Sequence, residues 1–152
     1  MRSLTIRPAD VVCHILLYIM IIGVLPGALD DIRALKVSDP GALAVVMTFL
    51  QEAEADPELL TKFTSYGKVK INETTADIKR WVAARGIGNI FRIRILDTPA
   101  TNYRVIYGFD WRSRKIGLLA VRHKDEFNYE ITGKLADRIR DDWRSASDSL
   151  FA

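Results

Sequence analysis

This 152-residue chain holds only two histidines and one cysteine. A single thiol, Cys13, excludes an intramolecular disulfide and any multi-cysteine zinc site, and fits a reducing compartment. His14 and His123 stand in unrelated contexts without metal-ligand spacing, so neither a metal nor a cofactor is expected. Internal repeats and low-complexity segments are absent as well. The length suits one domain with a core of its own.

The formal net charge is only +3, and its distribution says more than its size. Residues 66–124 carry 13 basic against 4 acidic side chains, whereas 51–65 and 125–152 are each net acidic by 3. Positive charge gathered on one segment favours a phosphate-bearing partner. Within that segment lie three apolar runs with basic side chains left over: Phe91-Arg92-Ile93-Arg94-Ile95-Leu96, Tyr103-Arg104-Val105-Ile106-Tyr107, and Ile116 to Lys124. Alternation predicts three antiparallel strands, with Arg92 and Arg94 on one face and Phe91, Ile93 and Ile95 on the other. Tyr103 and Tyr107 point together, away from Arg104. Such a sheet presents cations to RNA or its phosphates. Asp97-Thr98-Pro99-Ala100 and Asp110-Trp111-Arg112-Ser113 supply the turns.

The one long apolar run, Val11 to Leu25, is about 15 residues, or about 19 if continued through Leu29, at the lower edge of a membrane span. Membrane anchor, signal-peptide core, buried helix and non-native extension are all compatible with it, and a start at Met47 would retain the three strand segments with their basic side chains. Residues 1–38 are therefore set apart as an N-terminal extension that contributes an extra apolar helix. Pro26-Gly27 is read as its stop. The domain proper is assigned to 39–147, with 148–152 as a tail.

Asp39 caps a predicted helix opened by Pro40-Gly41 and running to Ala55 on Leu43, Val46, Met47 and Leu50. A second helix restarts at Asp56-Pro57-Glu58, shows Leu59, Leu60 and Phe63, and ends at Gly67. These form a hairpin lying on the sheet. Residues 68–89 read as a short edge strand at Lys68 to Ile71, then a basic loop or short helix around Trp81. Leu135, Ile139 and Trp143 space a C-terminal helix over 133–146.

The order of two helices, the Arg92-Ile93-Arg94-Ile95 strand, the Tyr103–Tyr107 strand, the Leu118 to Tyr129 strand and exit, and a final helix resembles the RelE/ParE superfamily of toxin–antitoxin toxins. The likeness covers about two-thirds of the chain. It implies an α+β fold, with a three- to four-stranded antiparallel sheet packed against an N-terminal helical hairpin and a C-terminal helix. It further implies a cytoplasmic toxin that cleaves mRNA in the ribosomal A site without a metal, held inactive by an antitoxin encoded next to it. Metal-free RNA cleavage needs a base for the 2′-hydroxyl, cations for the pentavalent phosphate and an acid for the leaving oxygen. The resemblance assigns these roles among Arg92, Arg94, Arg104, Arg122, His123, Lys124 and Tyr129. His123 can carry a proton, and Tyr129 can stack on a base or share proton transfer. Lys79, Arg80, Arg85 and Arg112 are added as RNA-binding cations. In purely structural roles, Arg104 would pair with Asp97 or Asp110, Phe127 would pack in the core, and Trp81 and Trp111 would be packing or surface residues. The competing functions are a ParE-like gyrase poison and a non-catalytic domain tethered to the membrane through 11–29.

Overall fold

The computed structural model describes residues 21–127 and 132–149. Cys13, His14, Tyr129 and most of the apolar run fall outside this range. The first described element is a strand, β1 (Ile22–Val24), followed by helices α1 (Pro26–Ser38), α2 (Pro40–Ala55) and α3 (Leu59–Phe63). Strands β2 (Gly67–Ile71), β3 (Thr74–Arg80), β4 (Ile90–Ile95), β5 (Tyr103–Asp110) and β6 (Lys115–His123) follow, and α4 (Lys134–Ser149) closes the chain. The six strands form one mixed sheet in the order β1-β6-β5-β4-β3-β2, antiparallel throughout except for the parallel pair of β1 with β6.

Local chemistry accounts for the helices. Pro26, its φ already near helical values and its missing donor unneeded there, opens α1 instead of stopping the chain. Asp39 separates α1 from α2 and caps α2, its Oδ1 accepting from the Ala42 N–H at 3.1 Å. α2 ends at Ala55, as the sequence predicts.

Two cores flank the sheet. On one face, Ala28 and Leu35 of α1, Val46, Phe49 and Leu50 of α2, and Leu59 and Phe63 of α3 pack on Ile78, Phe91, Ile93, Ile95, Val105, Tyr107, Ile116 and Leu118. On the other, Ile139, Trp143 and Ala146 of α4 join Trp81, Ala84, Ile90, Ile106, Leu119, Ala120 and Phe127. A bulge opposite Ile106 and Tyr107 inserts Leu119 into β6 and restarts its alternation.

The α+β class stands, but the sheet has six strands where three or four are expected. β1 comes from the apolar run, and Ile22, Gly23 and Val24 pair with Ile116, Gly117 and Leu118. β3 comes from a stretch read as a basic loop or short helix, in which Ala76 and Ile78 alternate with Thr75, Asp77 and Lys79. A two-residue turn at Asn72 and Glu73 joins it to β2, with Asn72 at φ 50°, a conformation asparagine tolerates better than most residues. The expected apolar N-terminal helix is corrected over its described part: residues 22–24 are a strand, and α1 has an exposed flank through Asp30, Arg33 and Lys36. Residues 22–38 share the sheet and core of the rest, so a chain begun at Met47 would lose an edge strand, a helix and the capped start of α2. Among the described residues no helix is long and apolar enough to cross a membrane.

Candidate polyanion-binding face

The alternation of β3, β4 and β5 sets which side chains meet. Ile93 and Ile95 enter the core under the helical hairpin, so Arg92 and Arg94 emerge on the α4 face. Val105 and Tyr107 do the same for β5, which sends Arg104 the same way, and Ala76 and Ile78 send out Asp77 and Lys79. These five polar side chains line one open cleft of about 160 Å³. Register places Lys79 directly across from Arg92 and Asp77 directly across from Arg94. The Asp77 and Arg94 side chains approach to 3.9 Å, a loose pair with Arg94 45% exposed. Arg104 donates through one terminal nitrogen to the Thr101 and Tyr103 carbonyls at 3.0 and 3.2 Å. Neither Asp97 nor Asp110 pairs with it.

Like charges directly across a strand pair destabilise a sheet by roughly 0.2–1 kcal/mol. Lys79 stands across from Arg92 in this way. An anion placed in the cleft meets Lys79, Arg92, Arg94 and Arg104 together. A guanidinium fork binds phosphate through parallel hydrogen bonds, so the cleft has the chemistry of a phosphate site.

The remaining predicted residues go elsewhere. Arg122 shares the face of Arg104, but its Nε is bound to Asp31 at 3.0 Å and a terminal nitrogen to Glu126 at 3.2 Å. His123 departs on the opposite face, where its ring meets Tyr103 edge-on at 5.3 Å and its Nδ1 accepts from the Asp125 N–H. Burial, and after it the hydrogen bond to Asp39 at 2.9 Å, raise the Tyr103 hydroxyl above the ordinary tyrosine range. A joint site of Arg104 with His123 is thus corrected: the sheet separates them. Lys124 lies exposed in the 3₁₀ turn Lys124–Glu126.

Lys79 joins the cleft, but Arg80, paired with Phe91 in register, leaves on the other face and donates to Asn89 at 2.8 Å. Arg85 and Arg112 line a separate hollow with Trp111 and Trp143 beyond the opposite end of β5. Trp111 is 66% exposed, whereas Trp81 and Phe127 are buried. Sequence reasoning missed Asp77, although the period-two pattern from Thr75 to Lys79 was there to find it. No cluster of three or more metal-binding side chains occurs among the described residues.

The fold and the cleft together define an α+β protein with a six-stranded mixed sheet that carries a basic cleft on the face where α4 packs. No protein-family profile, curated protein or solved structure matches this chain.

Proposed function

We propose that the protein binds single-stranded RNA in the cleft of Lys79, Arg92, Arg94 and Arg104, and acts as the resemblance to RelE/ParE toxins implies: a cytoplasmic endoribonuclease that inhibits translation by cutting mRNA on the ribosome and is silenced by a cognate antitoxin. The observation that carries the binding half is the convergence of Lys79, Arg92, Arg94 and Arg104 on one cleft. The order of helices, meander and final helix supports the toxin half.

Arginine stays protonated in proteins, so the three guanidinium groups serve the phosphate and its pentavalent transition state. Proton transfer falls to the two other side chains of the cleft. The Asp77 carboxylate is the acceptor for the 2′-hydroxyl proton, and the Lys79 ammonium is the donor to the leaving 5′-oxygen.

The test is expression of the full chain in bacteria, as wild type, Arg104→Ala and Asp77→Asn, with 5′ ends mapped on translated messages. Growth arrest with new cuts, absent in both variants, is the expected result. Arrest without cuts would point to gyrase poisoning, and a wild type that neither arrests growth nor cuts RNA would remove the toxin reading.

A further inference from the structure

The cations of the cleft continue onto the sheet edge. Val69 and Ile71 of β2 turn toward the helical hairpin, Val69 opposite Ala76. Lys68 and Lys70 therefore emerge on the α4 face, opposite Asp77 and Thr75. Both are exposed, as are Lys79 and Arg94. Six cations thus lie on one face across four consecutive strands: Lys68 and Lys70, Lys79, Arg92 and Arg94, and Arg104. With strands about 4.8 Å apart, β2 to β5 spans about 14 Å, wider than one phosphate requires. The acidic side chain within the band, Asp77, is already set against Arg94.

We infer that the RNA strand crosses the sheet at a steep angle to the strands, from the cleft at Arg104 and Arg92 outward over Lys79 to a distal phosphate site made by Lys68 and Lys70. This rests on the proposed RNA binding and adds its direction and its extent. The other role open to Lys68 and Lys70 is to guard the β2 edge against pairing with another sheet, as edge lysines do. The two roles separate experimentally, since edge guarding has no bearing on the number of phosphates bound.

The experiment measures binding of fluorescent oligouridylate to the full-length protein between low and moderate salt, with oligomers of about four and about twelve nucleotides. Each phosphate contact to a single strand contributes about 0.7 to the slope of log affinity against log salt. Lys68→Thr/Lys70→Thr keeps strand-forming side chains and removes two contacts. It should lower the slope for the longer oligomer by about 1.4 and leave the short oligomer unchanged. Arg104→Ala should weaken both. If the lysine variant binds both oligomers as the wild type does, or only gains a tendency to aggregate on gel filtration, the distal site is wrong while the cleft stands. If the wild type binds neither oligomer, the RNA reading and the distal site fall together.

Discussion

Arg138 grips Asp31 through both terminal guanidinium nitrogens, at 2.9 and 2.8 Å, across 107 residues of chain. The same carboxylate accepts from the Val121 N–H at 3.0 Å, where β1 has ended and the β6 edge would otherwise be open. Arg122 adds a fourth bond. Asp31 is the one buried charged residue among those described, and it ties α1, β6 and α4 together. The hydrogen bond to Asp31 raises the Arg138 pKa further above its ordinary value. Removing one partner of a buried ion pair leaves an uncompensated charge and costs about 3–5 kcal/mol. Asp31→Ala should lose stability of that order in urea unfolding, and Arg122→Ala, at a half-exposed partner, much less.

Lys79→Glu tests the opposition of stability and binding in the cleft. It replaces a repulsive cross-strand pair with an attractive one against Arg92, so the fold should gain about 0.2–1 kcal/mol. Oligouridylate binding should be lost at the same time. A variant that gains no stability, or that still binds, would show that the cations are spaced too widely to repel or to cooperate.

Trp143 lies on the backbone of Gly108 and Gly88, so a Cβ at either glycine would overlap the indole. Gly108→Ala should cost about 1–3 kcal/mol through overpacking, and Trp143→Ala about 3–5 through the cavity it leaves. Thermal unfolding reads both. Parity between them and a surface control would mean that α4 docks elsewhere.

Alkaline pH should weaken the fold through Tyr107, which is buried, and Tyr103, which is half-buried. The Tyr107 hydroxyl donates to the Phe63 carbonyl at 2.7 Å, and burial raises its pKa well above the ordinary value near 10. The folded state keeps its proton where the unfolded chain has lost it. The stabilisation is therefore complete below about pH 10 and is lost as pH rises toward the elevated folded value. Tyr103 acts in the same direction. Tyr107→Phe should flatten this alkaline fall, at a cost of about 1 kcal/mol at neutral pH from the lost hydrogen bond. Unfolding free energies between pH 8 and about pH 11 would check it.

Local chemistry alone determined much of this protein. The Asp39 cap, the run of α2 to Ala55, the edge strand at Lys68 to Ile71 and the faces of Arg92, Arg94, Tyr103 and Tyr107 follow from capping and from period-two alternation, which act between near neighbours. Alternation also contained β3, but its polar face of Thr75, Asp77 and Lys79 resembles a basic loop until β2 and β4 are laid on either side of it. What the tertiary structure decided depends on partners far apart in the chain. A short apolar run becomes a strand, rather than a helix, only when the β6 backbone offers it hydrogen bonds, and Ile22 meets Ile116 across most of the sequence. Arg122 and Arg104 are equally basic in the sequence. Asp31, carried in by α1, ties Arg122 into an ion-pair network, while no carboxylate among the described residues claims Arg104, so register and helix docking, which no local pattern encodes, chose the cations that face the cleft.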